Sequence, residues 1–216
     1  MNWIKEVLDK HLAQTPNHKF LYDEQTSLTF QQVYNLSGKV YAYLKANGIG
    51  REDFVLINLT RGVNPYIAII GVWRAGAAFI LTENTDPAER RKYIYNNCSC
   101  KLEINDDVWQ SILKTESLDG YENVDEHDAA YAVYTSGTTG NPKGVIHEYG
   151  NLKENYDSHF YQGKFIFEKN DKVAITAPLS SIASILIFLA PFAVEEPEIH
   201  VISRETVKSQ HELKTN

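Results

Sequence analysis

Cysteine is scarce in this sequence, with two residues, Cys98 and Cys100. Two thiols cannot build a disulfide framework or a four-thiolate zinc site. With one residue between them, a local disulfide would be strained. Free thiols in a reducing compartment are the expectation. Long hydrophobic runs are also lacking. The longest stretch, Ile182 to Val194, contains Ser184 and Pro191 and is too short to span a bilayer. The opening residues Met1-Asn2-Trp3-Ile4-Lys5-Glu6 are charged and amphipathic and do not read as a signal peptide. A cytoplasmic protein is expected, so the Asn-x-Ser/Thr matches at Asn35, Asn58 and Asn97 are chance. Positive charge is in deficit: 21 Lys and Arg stand against 28 Asp and Glu, a net charge of −7. That balance disfavours nonspecific binding to nucleic acid or to an anionic membrane.

What is present is an ordinary globular composition over 216 residues, 43% hydrophobic and 23% charged. Trp3, Val7, Leu8 and Leu12 share one face of a first helix. Phe20-Leu21-Tyr22 and Ser27-Leu28-Thr29 flank a hairpin-like turn. Thr29 and Gln32 form a capping box for a second helix, which Gly48 stops. Phe54–Leu59 and Ala77–Leu81 are nearly continuous apolar runs, as in parallel strands buried on both faces. Between them, Asn64-Pro65 opens a helix that Gly76 closes. Asp86-Pro87-Ala88-Glu89 predicts a further helix with a capping box and a proline at its first position. Short strands follow at Lys101–Ile104, Tyr131–Tyr134, Gly144–His147, Lys172–Thr176 and Ile199–Ile202, with an apolar helix from about Ser181 to Leu189. Residues 115–128 and 161–171 read as loops. This alternation predicts an α/β fold with a mainly parallel sheet flanked by helices.

The most informative stretch is Tyr134-Thr135-Ser136-Gly137-Thr138-Thr139-Gly140-Asn141-Pro142-Lys143-Gly144. Its glycines let consecutive backbone N–H groups converge on an anion. Its hydroxyls add donors, and Lys143 adds a full positive charge. A hairpin loop doing only turn work is the bland alternative, which the density of phosphate-competent donors disfavours. A Walker A loop is excluded, because Gly-Lys must be followed there by Ser or Thr and a helix. Here Gly144-Val145-Ile146 continues as a strand.

At these residues the sequence resembles the adenylate-forming (AMP-binding) superfamily. Leu28-Thr29-Phe30, Gly71 to Phe79, and Asp86-Pro87-Ala88-Glu89-Arg90 with Tyr93-Ile94 look like its upstream motifs. Their spacing is most similar to adenylation domains of nonribosomal peptide synthetases and to D-alanine–carrier protein ligases. The resemblance implies an ATP-dependent ligase that joins a carboxylate to the α-phosphate of ATP and then passes the acyl group to a thiol. It implies that Thr135, Ser136, Gly137, Thr138, Thr139, Gly140 and Lys143 bind phosphates, with ATP and Mg2+ as cofactors. No catalytic residue and no metal ligand is assigned.

The family's second half carries the adenine loop, the Tyr-Gly-x-Thr-Glu and Thr-Gly-Asp motifs and a mobile C-terminal domain. None of these motifs occurs here. Where amino-acid-activating members carry an aspartate for the substrate ammonium, this sequence has Ile182; the usual Val-Pro-Leu-Asp-like run is Ile80-Leu81-Thr82. The implied organisation is a single truncated N-terminal portion over 1–216: helical lead-in and hairpin at 1–50, α/β unit at 51–208, polar tail at 209–216. Such a chain is expected not to be active alone. The alternative is a non-catalytic remnant or interaction module with weak phosphate or nucleotide binding. Expected partners are ATP or pyrophosphate, together with a second chain carrying the missing half or self-association; an apolar patch expected near Ile182 to Phe192 would lead either to self-association or to burial of that helix by local rearrangement. His147 and the cysteine pair read as structural more readily than functional, whereas Tyr149 falls where many members carry a histidine near the acyl pocket and so suggests a place there.

Overall fold

The structure, a computed structural model, describes residues 3–135, 142–158 and 168–214, with no side chains from 210 onward. Helix α1 (Trp3–Gln14) buries Trp3, Ile4, Leu8 and His11. Strands β1 (Lys19–Tyr22) and β2 (Ser27–Thr29) form an antiparallel hairpin, closed where Asp23 Oδ1 accepts from the N–H groups of Gln25 and Thr26. Helix α2 (Phe30–Ala46) starts on the expected reciprocal cap. Thr29 Oγ1 accepts from Gln32 N, and Gln32 Oε1 accepts from Thr29 N.

Strands β3 (Phe54–Asn58), β4 (Ala78–Leu81), β5 (Leu102–Asn105), β6 (Ala129–Thr135) and β7 (Lys143–Glu148) form one sheet in the order β5-β3-β4-β6-β7. The first four are parallel and β7 is antiparallel to β6. Helices α3 (Asn64–Arg74), α4 (Ala88–Asn97) and α5 (Asp106–Leu113) lie between these strands in the chain. Central strand β4 is buried along its whole length, as its unbroken apolarity requires.

The described residues form a second sheet as well. Strands β8 (Lys172–Ile175) and β9 (Glu198–Val201) do not extend the five-stranded sheet. They pair with the N-terminal hairpin, in the order β2-β1-β9-β8, with Leu21 opposite Ile199. Residues 19–29, read as part of a lead-in, thus share a sheet with residues 172–201. Two further differences are local. The Asp86 carboxylate turns back to accept from Glu83 N, so α4 begins after Pro87 without the expected capping box. Helix α8 (Arg204–Lys214) runs through the expected polar tail, begun by Ser203 Oγ accepting from Thr206 N. The expected loop at 161–171 lies largely outside the described residues.

Helices α2 and α3 cross in close contact at Gly71. A Cβ there would fall 2.3 Å from Val40 Cβ and 2.9 Å from the Ser37 carbonyl oxygen, so only glycine fits this crossing. Arg74, at the end of α3, is fully buried. Its guanidinium donates to the carbonyls of Tyr34, Leu118 and Gly120 at 2.8–3.1 Å and to Ser37 Oγ at 3.1 Å. One buried cation thereby holds the irregular segment 114–128 against α2.

Candidate functional site

The Gly/Thr-rich loop joins β6 to β7 at one tip of the five-stranded sheet. Thr135 and Lys143 are directly opposed at the end of the antiparallel ladder, and both are exposed. Of the seven expected phosphate-binding residues, these two have described positions. Ser136, Gly137, Thr138, Thr139 and Gly140 lie outside the described residues.

The root of the loop is packed. Tyr134, the last buried residue of β6, sits opposite Gly144. A Cβ on Gly144 would lie 2.9 Å from Tyr134 Cζ, so the ring packs against the glycine and leaves no room for a side chain there. The hydroxyl donates to Asn97 Oδ1 at 2.6 Å and lies 3.1 Å from Cys98 Sγ. The end of helix α4 therefore holds the strand from which the loop departs. Burial raises the Tyr134 phenol above its ordinary value, so it stays protonated and remains a donor. Asn97 and Cys98 escape a reading of the sequence, since 37 and 36 residues separate them from Tyr134.

The other residues singled out in the sequence take packing positions. His147 stacks on Tyr131 with ring centroids 4.5 Å apart, and burial lowers its pKa. Tyr149, the first residue of helix α6 (Tyr149–Tyr156), is buried and donates to the Ala77 carbonyl at 3.1 Å. That bond holds the residue just before β4. Both cysteines are free, and burial pushes the Cys100 thiol up to about 12. A thiol so far from ionisation is a poor nucleophile.

The segment that aligns with the family's motif for a substrate ammonium leads into helix α7 (Ile182–Leu189). Ser181 caps α7 by accepting from Ser184 N, and Ser184 Oγ donates to the Leu179 carbonyl at 2.8 Å. Glu83, just beyond β4, is buried; its Oε1 accepts from Leu179 N at 2.7 Å and from Arg204 Nη2 at 2.9 Å. Arg61, beyond β3, donates to the carbonyls of Ile175, Ala177 and Ile202 at 2.7–2.8 Å. These contacts tie the second sheet to the carboxyl ends of β3 and β4. Ile182 is 38% exposed, whereas Phe188 and Phe192 are buried. The patch expected from Ile182 to Phe192 thus shrinks to the first turn of α7, because both phenylalanines pack into an aromatic cluster; Phe192 meets His11, Phe20 and Phe30 there.

Among the described residues, no three His, Cys, Asp or Glu side chains converge as a metal-binding group. A magnesium ion carried on a triphosphate takes most of its ligands from phosphate and water, so it needs few from the protein. No described helix is long and apolar enough to cross a membrane.

The chain is similar to peptide synthetases. It is 31% identical to surfactin synthase subunit 2 of Bacillus subtilis (strain 168), over 96% of this chain and 6% of that protein. It is 26% identical to tyrocidine synthase 1 of Brevibacillus parabrevis, over 94% of this chain and 20% of that protein. Among solved structures it superposes on VinN in complex with L-aspartate with a TM-score of 0.79 at 16% identity, covering 97% of this chain and 59% of that one. It superposes on the N-terminal subdomain of NpsA from Klebsiella oxytoca, bound to 3-hydroxyanthranilyl-AMSN, with a TM-score of 0.78 at 20% identity, covering 92% of this chain and 52% of that one. The chain therefore spans little more than half of these solved chains and a small part of the synthases. The family model for AMP-binding enzymes matches residues 8–213. With a shared fold and a family match over nearly its whole length, the chain belongs to the AMP-binding enzyme family.

Proposed function

We propose that this chain supplies the phosphate-gripping part of a carboxylate-activating ligase, and that it does not complete the reaction by itself. The observation that carries this reading is Lys143 standing opposite Thr135, exposed at the tip of the sheet where the Gly/Thr-rich loop leaves it. In the proposed reaction a carboxylate attacks the α-phosphate of ATP and pyrophosphate leaves. Charge builds on the leaving β- and γ-phosphates, and a lysine with converging N–H and hydroxyl donors offsets it. Tyr134, fixed by Asn97, holds the start of the loop in place. Magnesium, when carried on the triphosphate, would neutralise further charge.

Ile182 offers no charge for a substrate ammonium, and burying that cation unpaired would be costly. The adenine, ribose and magnesium motifs of the family are absent from the sequence. ATP–pyrophosphate exchange with the chain alone is therefore expected to stay at the buffer level for every amino acid. Exchange above that level, abolished by Lys143→Ala, would overturn the claim of incompetence.

The second reading, a remnant that binds phosphate without turnover, shares the same loop. In either case inorganic pyrophosphate and triphosphate should raise the melting temperature slightly, with affinities of roughly 0.1–10 mM, and adenosine should not. Lys143→Ala should remove most of that shift, since one charge-assisted contact is worth about 1.5–3 kcal/mol. Equal stabilisation by adenosine and ATP would remove the loop from consideration as the site.

A further inference from the structure

The chain's two cysteines, Cys98 and Cys100, flank one residue at the end of α4. Two backbone bonds close the turn there. Ser99 N donates to the Asn96 carbonyl at 3.1 Å, and Cys100 N donates to the Tyr95 carbonyl at 2.9 Å. This reversal ends many helices and sets its middle residue in the left-handed region, where glycine is usual. Ser99 takes that place at φ 51°, a conformation that a residue with a side chain adopts at a cost. Both cysteine side chains meet one apolar cluster. Cys100 lies within it beside Leu56, Ile80, Ala132 and Tyr134, and Cys98 packs against it. Cys98 is half-buried and Cys100 is buried. Burial first, and then the nearness of Cys98, push the Cys100 thiol up to about 12.

Cys98 also reaches the strand that leads into the Gly/Thr-rich loop. Its Sγ lies 3.1 Å from the Tyr134 hydroxyl. A phenol has one proton, and Asn97 Oδ1, which can only accept, takes it at 2.6 Å. The Cys98 thiol is therefore the donor in its contact with Tyr134. That contact lasts only while the sulfur carries its proton.

We propose that Cys98 and Cys100 close reversibly into a disulfide, with a low-molecular-weight disulfide as the oxidant, and that closure withdraws the thiol donor from Tyr134. The end of α4 is then a redox-sensitive clasp on β6. The Cys98 thiolate attacks one sulfur of the small disulfide, forming a mixed disulfide and releasing one small thiolate. The Cys100 thiolate attacks Cys98 Sγ, forming the Cys98–Cys100 bond and releasing the second. The two protons shed by the cysteines pass to the released thiolates. The small disulfide gains two electrons and the cysteine pair loses two. Half-buried Cys98 meets the oxidant. Buried Cys100, a poor nucleophile toward anything in solution, reacts only across the turn that holds it beside Cys98. A bridge across one residue is strained, and strained disulfides are the ones readily reduced again.

The full chain, equilibrated in glutathione buffers from fully reduced to fully oxidised, should lose two hydrogens, with Cys98 linked to Cys100 within one peptide. Dithiothreitol should restore both thiols. Amide exchange at residues 94–100 and 131–135 should rise roughly two- to five-fold on closure, while exchange at 30–46 stays constant. Cys98→Ser keeps a hydroxyl donor for Tyr134 and should show neither closure nor that rise. Cys100→Ser should stop at a glutathione adduct on Cys98. Melting of the reduced variants establishes that they are folded, and the unsubstituted chain tests closure without them. No nucleotide enters the experiment, so its outcome is separate from the phosphate-gripping role. A pair that stays reduced in the most oxidising buffer, a glutathione adduct that persists on the unsubstituted chain, a disulfide between chains, or closure with unchanged exchange at 131–135 would each overturn the proposal.

Discussion

The Tyr134 hydroxyl donates to Asn97 Oδ1 at 2.6 Å, linking the strand that launches the Gly/Thr-rich loop to the last turn of α4. The strand that leads into the loop is thus anchored by a neutral hydrogen bond to the end of α4. Tyr134→Phe removes the hydroxyl and leaves the Asn97 oxygen without this donor. A loss of about 1 kcal/mol is expected, or a fall of about 2–4 °C in melting temperature for a chain of this size. Tyr134→Ala also uncovers Gly144 and should cost about 3–5 kcal/mol. Urea denaturation of the two variants tests this order; an equal loss from both would show that the hydroxyl carries the whole contribution.

Gly71→Ala introduces a methyl group where Val40 Cβ stands 2.3 Å away. Helix propensity favours alanine by about 1 kcal/mol, but overpacking costs typically 1–3 kcal/mol and more where backbone must move. A net loss of stability is expected, since the Ser37 carbonyl also stands only 2.9 Å from the new atom. A melting temperature equal to or above that of the unsubstituted chain would show that α2 and α3 can separate freely.

Arg74→Met keeps the volume of a long side chain but removes the donors to Tyr34, Leu118, Gly120 and Ser37. A part-buried carbonyl that loses a charged donor without a replacement costs about 1–3 kcal/mol, and the Tyr34 carbonyl alone keeps a second donor, the Ser37 hydroxyl. A loss of at least about 3 kcal/mol is expected, with residues 114–128 becoming the first site of limited proteolysis. Cleavage at an unchanged rate in that segment would show that it is held by other contacts.

His11 gives a pH dependence with a defined sign. Burial lowers its pKa from the ordinary 6.5, against the opposing effect of its contact with the Phe192 carbonyl at 2.9 Å. Because the unfolded chain binds this proton more readily, stability is full above 6.5 and falls as pH drops through and below that value. Burial lowers His147 in the same direction. Asp128 and Glu122 also have lowered pKa values, from carboxylate reference values of 3.8 and 4.5, so their losses begin at lower pH. His11→Phe should flatten the stability profile between about pH 6.5 and 5, and urea midpoints across that range would measure it. An unchanged slope would assign the acid sensitivity elsewhere.

Strand positions were legible in the sequence wherever burial on both faces left an unbroken apolar run, as at Phe54–Asn58 and Ala78–Leu81. Helix starts were legible where the cap uses neighbouring residues, as at Thr29 and Gln32. The cap expected at Asp86 failed because a carboxylate can serve either side of its own backbone, and here the turn at Glu83 takes it. Tyr134 and Lys143 were legible as parts of one local signature; the Asn97 and Cys98 contacts were not, because no pattern of spacing marks a pairing across 36 or 37 residues.

The sequence by itself determined the alternation of strands and helices and the family resemblance, because periodicity, capping and short motifs are properties of residues close together in the chain. The tertiary structure alone decided which strands share a sheet. The run Phe20-Leu21-Tyr22 would suit either sheet; only its pairing of Leu21 with Ile199, across almost the whole chain, places it. It also decided that Arg61, Arg74 and Glu83 turn inward to hold distant backbone groups. A charged residue reads as surface until folding brings the unpaired carbonyls and N–H groups that require it.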